Sequence, residues 1–537
     1  MAALTKWETG SLPTGPQGLP LPDASLTVGV IDMGASSVRL VVAEIGAGRP
    51  SRILEEASRG ILLGKDTFTI GRISAATMEA TLKVLQGFRR IMEEYGVTHY
   101  RAVATSAVRE ASNSEAFLDR LRLRSGIEVE VIDGSEENRL TYMAVREALK
   151  DHESLTAGDA LLVEVGGGSA DISFLRKGEP IRSGTYALGA IRMRQSLASW
   201  HGSHDRRARL LRRHIQNVVE DIRRELPLKA ATHFIALGGD VRFAISRILG
   251  EGESEQAVKV IPRDAFLAFC DQVMGEDVDQ IVENYHLSLA EAETLVPALL
   301  AHQALLAETP ADRITVPEAS LRAGLLLDIL RAEEGRGIEE FRRQVLASAE
   351  ALGEKYQYDA PHSKNVAHLS VRLFDELRSE HGLSERERLL LEVAGLLHDI
   401  GTYVGLRAHH KHSQYLLSVS EIFGLSREDM ELISNVARYH RRALPAKSHI
   451  PWMTLDRDGR VSAGKMAAIL RVANALDADH LQKVRDVRVV KEEDQWCLEV
   501  DGAGDFTMER LASLSRSDLF AEIFGKKLAF REAGGGA

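Results

Sequence analysis

Between residues 27 and about 150, short apolar runs alternate with longer stretches of helical period. The runs at 27–33, 38–45, 101–104 and 128–132 predict strands, being apolar and β-branched over strand lengths. Apolar positions recurring every three or four residues predict helices at 74–95, 113–124 and 135–150. Two adjacent strands followed by alternating helices and strands predict a mixed sheet with helical crossovers. Near Gly158 the scheme restarts, with strands at 160–165, 171–175 and 180–186, then helices, then a strand at 233–237. Gly238-Gly239-Asp240 follows that strand and opens a helix. The run 321–327 predicts a buried helix, one that can return to the first lobe.

The pattern changes after a charged, linker-like stretch at 331–338. From about 339 to 482 the period is helical almost throughout, and histidines are frequent. The tail has strand patterns at 484–490 and 496–500, a helix near 516–524 and a glycine-rich end. The expected organisation is a disordered leader (1–26), a first α/β lobe (27–150), a second (151–335), a helical domain (336–483) and a small α+β tail (484–537).

Composition narrows the function. The chain of 537 residues is 44% apolar, enough for several cores, and its net charge of −11 comes with Lys and Arg spread throughout. Bulk affinity for nucleic acid needs a clustered basic face, so no specific nucleic-acid partner is expected. No apolar run is long enough to span a bilayer, and the first 24 residues lack the apolar core of a signal peptide. Cys270 and Cys497 are far apart in sequence and lack metal-ligand spacing, as for reduced thiols in the cytoplasm.

Two glycine-rich turns carry the strongest chemical signal. Each follows an apolar strand ending in a carboxylate: Asp32 before Met33-Gly34-Ala35-Ser36-Ser37, and Glu164 before Val165-Gly166-Gly167-Gly168-Ser169. Without a Cβ in the way, successive backbone N–H groups can nest a phosphate. A carboxylate at the strand end can hold a divalent cation against that phosphate. Either turn alone is more often a structural hairpin, but two of one design suggest a duplicated fold closing on one phosphate chain. Asp171 either joins that cleft or faces outward. Glu136 and Glu137 open a helix, where acids are favoured by the helix dipole or serve as a general base. Arg139 either binds phosphate or pairs with a carboxylate. Ser106 and Arg109 suit phosphate contact, with N-capping as the alternative for Ser106.

Taken in order, five stretches resemble the exopolyphosphatase/guanosine pentaphosphate phosphohydrolase (Ppx/GppA) family. They are Ile31-Asp-Met-Gly-Ala-Ser-Ser-Val-Arg39, Ala104-Thr-Ser-Ala-Val-Arg109, Ile132-Asp-Gly-Ser-Glu-Glu-Asn-Arg139, Glu164-Val-Gly-Gly-Gly-Ser-Ala-Asp171 and Ser320-Leu-Arg-Ala-Gly324. The resemblance implies an α/β fold of two ribonuclease-H-like lobes (actin/sugar-kinase superfamily), followed by an all-α HD-like domain and a small α+β tail. It implies a homodimer that removes the terminal phosphate of inorganic polyphosphate or guanosine pentaphosphate with Mg²⁺. The family's catalytic Glu falls on Glu137. Its phosphate positions fall on Gly34, Ser36, Ser37, Arg109, Gly166, Gly167, Gly168 and Ser169, and its metal positions on Asp32, Glu164 and Asp171.

The pattern also departs from the family's. Where the family has Asp-Ile-Gly-Gly-Gly-Ser-Thr-Glu, this chain has Glu164 first, Asp171 last and Ala170 in place of a hydroxyl. The usual Asn of the first turn is Ser36, and Asp240 adds a charge to the third turn. The helical half resembles an HD domain, which implies a second divalent metal on His362, His398 and Asp399, with His412 and His440 nearby. The last HD ligand, usually Asp, is Asn474 here, a poorer one. Alternatives to the polyphosphatase reading are a sensor that binds polyphosphate or an alarmone without hydrolysis, a kinase-like ATPase, and hydrolysis at the HD-like site.

Overall fold

The computed structural model describes residues 26–46, 49–198, 204–250, 256–333, 337–441, 443–492 and 494–532. The expected leader up to residue 25, part of the expected linker, Arg442 and the glycine-rich end lie outside these, while Leu26 opens the first strand. The chain divides into two compact units between Gln344 and Val345.

The first unit repeats one topology. Its first sheet holds β1 (Leu26–Met33), β2 (Ser37–Gly46), β3 (Arg49–Gly60), β4 (His99–Ala104) and β5 (Glu130–Val131), ordered β3-β2-β1-β4-β5. Its second holds β6 (Asp159–Val165), β7 (Ala170–Arg176), β8 (Glu179–Tyr186), β9 (His233–Leu237), β10 (Val258–Pro262) and β11 (Arg313–Pro317), ordered β10-β11-β9-β6-β7-β8. In both, an antiparallel three-strand meander is followed by a strand parallel to the first, β4 on β1 and β9 on β6. These are the two ribonuclease-H-like lobes. The pattern at 38–45 and 171–175 marks the second strand of each meander. It missed β3, whose sequence Leu54-Glu-Glu-Ala-Ser-Arg59 lacks apolar alternation; β3 lies at the sheet edge with shifts in register. It also missed β10 and β11, of five residues each, and the helix Leu63–Ile70.

One face of the first sheet is covered by the helix Ala75–Glu94, with Leu82, Leu85 and Phe88 buried against β1 and β2 residues. The helix Leu321–Glu333 covers the other, where Leu321, Leu325 and Ile329 pack with Val28, Val30 and Val103. The predicted return to the first lobe is thus observed. The helix Gly134–Ala148 begins at Asp133, whose carboxylate accepts from the Glu136 amide at 3.0 Å. It is buried from Asn138 to Val145. Helix Leu321–Glu333 approaches it so closely that a Cβ on Gly324 would lie 2.0 Å from the Leu140 carbonyl oxygen. Only glycine fits there.

An ionic network fixes this helix at its base. Arg139 donates to Glu136 at 2.7 and 2.9 Å and to Asp328 at 2.9 Å, and Arg101 reaches Asp328 at 2.8 Å and Glu136 at 3.2 Å. Arg139 is therefore a carboxylate partner. Burial raises the Glu136 pKa, but Arg139 and Arg101 outweigh it and bring the pKa from 4.5 down to about 2.

The second unit is helical before a three-stranded sheet. The helices Glu385–Leu397 and Arg427–Arg438 both open with capping boxes, at Ser384 and Ser426, which hold their N-termini to a single start. The sheet order is β12 (Val484–Lys491), β13 (Gln495–Gly502), β14 (Lys527–Glu532), with β14 parallel to β13 across the helices Thr507–Arg516 and Asp518–Phe524. Two strands were predicted; β14 adds a third. Cys270 and Cys497 are buried and free. Among the described residues no helix is long and apolar enough to cross a membrane.

Because the folded pKa of Glu136 is depressed, its contribution to stability is present above pH 4.5 and is lost as pH falls toward 2. Glu136→Ala is expected to lower stability at neutral pH by about 2 kcal/mol, the cost of losing charge-assisted hydrogen bonds on a partly accessible carboxylate. The deficit against wild type should vanish by about pH 2 in urea unfolding. A deficit constant with pH would show that the network contributes packing rather than charge.

Candidate functional site

The two glycine turns are closed by the same hydrogen bond. The Gly34 amide donates to the Ser37 carbonyl at 3.0 Å, and the Gly166 amide to the Ser169 carbonyl at 2.9 Å. These two amides, expected to face phosphate, are therefore spent within their turns. The amides of Ala35, Ser36, Gly167 and Gly168 take no acceptor from the described residues. The turns also abut. A Cβ on Gly167 would lie 3.0 Å from Ala35 Cβ, and one on Gly168 would lie 2.2 Å from Ser106 Oγ and 2.6 Å from the Phe68 ring. At Gly168 a side chain would displace Ser106 and Phe68, and at Gly167 it would press on Ala35 of the opposite turn. Arg192 holds the second turn in place, donating from Nε to the Gly168 carbonyl at 2.6 Å while its guanidinium lies over Phe68.

Four carboxylates face this cleft. Asp32, 8% exposed at the end of β1, lies 3.4 Å from Arg322 and 3.9 Å from Arg39. Glu164, at the matching end of β6, accepts from the Thr141 hydroxyl at 2.9 Å. Asp171 is 4% exposed and accepts from Thr185 at 2.6 Å, so it faces inward. Glu137 projects from the helix Gly134–Ala148 one turn before Thr141. Its Oε2 is buried without a hydrogen-bond partner, and the Arg109 guanidinium lies 3.7 Å from it. Arg109 is itself anchored, donating to the Ile132 carbonyl at 2.7 Å.

Electrostatics separates the two adjacent glutamates. Glu136 is held ionised by two arginines. The Glu137 pKa is raised well above the ordinary 4.5, first by burial and then by the charge of Asp171, with Glu164 and Asp32 adding to it against Arg109. Burial also raises Asp32 and Glu164. Neighbouring carboxylates with opposed shifts are what acid–base chemistry at neutral pH requires.

Comparison with known proteins agrees with this geometry. The Ppx/GppA phosphatase family matches residues 41–333, and domain III of the same family matches residues 345–522. This chain belongs to the Ppx/GppA phosphatase family. A Vibrio vulnificus protein named guanosine-5'-triphosphate,3'-diphosphate pyrophosphatase is 24% identical over 77% of this chain and 80% of its own length. The protein of the same name from Aeromonas hydrophila is 24% identical over 82% of this chain and 86% of its own. The crystal structure of an exopolyphosphatase from Cytophaga hutchinsonii has a TM-score of 0.52 at 24% identity, covering 57% of this chain and 97% of that one. It shows a shared fold.

Three arginines were not singled out from sequence. Arg39, Arg242 and Arg322 come from different elements, and their charges bear on one another beside Asp32 and Glu164. Arg39 and Arg322 lie inside the stretches that carry the family resemblance, the available signal; Arg242 had none. The charge of Asp240 adds less than expected at this cleft. Its carboxyl lies 3.5 Å from Thr294 Oγ1, and burial pushes its pKa up to about 6.

In the second unit, the structure revises the histidine set drawn from the HD resemblance. His398, His440 and His362 are buried around Asp399, as expected. The fourth histidine at Asp399 is His409 rather than His412: one turn away on the helix His409–Ser418, His409 faces inward. Asn474 is not the acidic counterpart either. Asp477, three residues on, accepts from His362 Nδ1 at 2.8 Å. His480 stacks on His362 with ring centroids 3.6 Å apart.

Gly168→Ala should force Ser106 and Phe68 aside and open the joined turns. Such overpacking costs about 1–3 kcal/mol. Phosphate release at saturating substrate should fall at least tenfold while the protein still unfolds cooperatively. Undiminished release would show that the turns do not hold substrate.

Proposed function

We propose that this chain hydrolyses a terminal phosphoanhydride, releasing orthophosphate from inorganic polyphosphate or guanosine pentaphosphate. One observation carries the reading. Glu137 Oε2 is buried without a hydrogen-bond partner and its pKa is raised by burial and by Asp171, just after the second glycine turn, while four amides of the two turns take no acceptor from the described residues. A carboxylate oxygen with no hydrogen-bond donor of its own is suited to take a proton from a water aligned on phosphorus. The names of the relatives fit both substrates.

In this reading the amides of Ala35, Ser36, Gly167 and Gly168, with the hydroxyls of Ser36, Ser37 and Ser169, bind the terminal phosphate. Arg109 contacts the same phosphate and orients Glu137. The Glu137 carboxylate accepts the proton of the attacking water, and the amide nest stabilises charge developing on the phosphoryl oxygens. Arg39, Arg242 and Arg322 bind the phosphates further along the chain.

The charges of Asp171, Glu164 and Asp32 raise the Glu137 pKa and that of Asp32 raises Glu164; a divalent cation in the cleft would relieve this repulsion. Asp32, Glu164 and Asp171 would hold Mg²⁺, and no three of the cleft carboxylates converge within 4.8 Å among the described residues. At most two of them would bind directly, with phosphate and water completing the shell. When bound, Mg²⁺ neutralises phosphoryl charge. We place the enzyme in the cytoplasm as a homodimer.

Chelation of divalent ions should abolish phosphate release and Mg²⁺ should restore it. Glu137→Gln should reduce kcat about 10²–10⁴-fold with KM changed only a few-fold. If kcat survives, the base lies elsewhere. A base acts deprotonated, so activity should rise through a midpoint well above 4.5. Because Asp171 raises the Glu137 pKa, Asp171→Asn should move that midpoint down, and an upward move would refute the coupling.

A further inference from the structure

Basic charge that the chain otherwise spreads is concentrated on one helix of the second lobe. The helix His204–Glu225 carries Arg206, Arg207, Arg209, Arg212 and Arg213 in its first half, where Asp205 is the one acid. Leu211, Ile215, Val219 and Ile222 recur at helical spacing and are buried in the core of that lobe. Arg206, Arg209, Arg212 and Arg213 are exposed on the outward side. Among the described residues none of these four forms an ion pair; the Arg212 guanidinium meets only Met274 Sδ, at 3.1 Å.

This placement works against the helix itself. Positive charge near a helix N-terminus opposes the dipole, and Arg209 repels Arg212 and Arg213 at i+3 and i+4. The last turn has the opposite arrangement. Arg223 and Arg224 sit where the dipole favours them, and they pair with Glu220 and Asp221. An unpaired basic face kept at a cost to the fold points to an anionic ligand from outside it.

The class of ligand follows from what the face offers. Side chains three and four apart on a helix stand about 5–6 Å from one another, so the arginines form a dense row of phosphate-binding forks. No aromatic residue occurs between 204 and 225 to stack a base, as single-stranded nucleic acid requires. The apolar side of the helix is spent in the core and is not open to a lipid surface. In linear polyphosphate neighbouring phosphates share one oxygen, so its charge is denser than that of nucleic acid, where a sugar intervenes. The arginines acting on the cleft carboxylates are Arg39, Arg109, Arg242 and Arg322, none of them on this helix. The face is nevertheless tied to the second glycine turn. The helix Ala190–Ala198 starts there, its first two amides donating to the Gly166 and Gly167 carbonyls at 2.9 Å, and it packs against the arginine helix.

We propose that this arginine face holds the far stretch of a long linear polyphosphate whose terminal phosphate occupies the glycine turns. The proposal rests on the hydrolysis proposed above. It makes long polyphosphate the preferred substrate over guanosine pentaphosphate, which has no such stretch.

The test compares phosphate release from long-chain polyphosphate and from tripolyphosphate by the full chain with Mg²⁺. Wild type should have the higher kcat/KM on the long chain. Arg209→Gln, Arg212→Gln and Arg213→Gln combined should lower the ratio of the two kcat/KM values about tenfold or more, through KM on the long chain. Arg223→Gln with Arg224→Gln should leave that ratio within about twofold, since those charges are already paired. The triple variant should unfold no more readily than wild type, because it removes charge that opposes the dipole. Easier unfolding would assign the arginines to the fold and overturn the proposal. No chain-length preference in wild type, or an unchanged ratio in the triple variant, would overturn it and leave the hydrolysis reading intact. If wild type releases phosphate from neither substrate, the hydrolysis reading fails. Anisotropy of fluorophore-labelled long-chain polyphosphate then decides the helix: binding weakened about tenfold in the triple variant supports the face, and equal binding overturns it. Single-stranded RNA that displaces the labelled chain as well as unlabelled polyphosphate does would overturn the choice of ligand.

Discussion

The close approach of the helix Gly134–Ala148 to its neighbours is the constraint on which the rest of the first unit depends. This one helix carries Glu137 and Thr141 toward the cleft and Glu136 and Arg139 away from it. Its position is set where backbone meets backbone at Gly324, and where its own first residue, Gly134, meets Thr185: a Cβ there would lie 2.0 Å from Thr185 Oγ1. Thr185 in turn binds Asp171. The proposed base Glu137, a candidate metal carboxylate and the helix are thereby linked by steric contact, and interiors packed this closely resist small displacements.

The same helix separates charge. Glu136 faces two arginines and stays ionised; Glu137, one residue on, faces three carboxylates and one arginine in a desolvated cleft. A rotation of about 100° per residue places the two side chains in opposite environments. The helix N-terminal dipole acts on both. The difference between them comes from what each meets across the lobes.

The departures from the family pattern have a steric reading. Glu164 is longer than the usual Asp, and its extra reach is taken up by the hydroxyl of Thr141 on the central helix. Asp171 is shorter than the usual Glu, and Thr185 meets it at 2.6 Å. Exchanging the two acid lengths therefore preserves two carboxylates at the cleft, each held by a threonine from a neighbouring element.

Much of this was legible in the sequence. Apolar runs marked β1, β2, β6, β7 and β9, and the glycine turns were found because their local pattern is dense; Glu137 was singled out by the family resemblance. Elements without apolar alternation, such as β3, left no such signal, and neither did Arg242. His409 and His412 look alike on the helix His409–Ser418, and Asn474 and Asp477 lie three residues apart at the end of another. Burial against Asp399 selected His409, and the distance to His362 selected Asp477. The sequence by itself determined the duplicated strand–turn design, the chemistry of the turns and the residue types available. Only the tertiary structure decided which amides remain free, which glutamate oxygen is buried without a hydrogen bond and which histidines converge. Those outcomes depend on groups distant in sequence coming within a few ångströms, where desolvation and Coulomb interactions become strong.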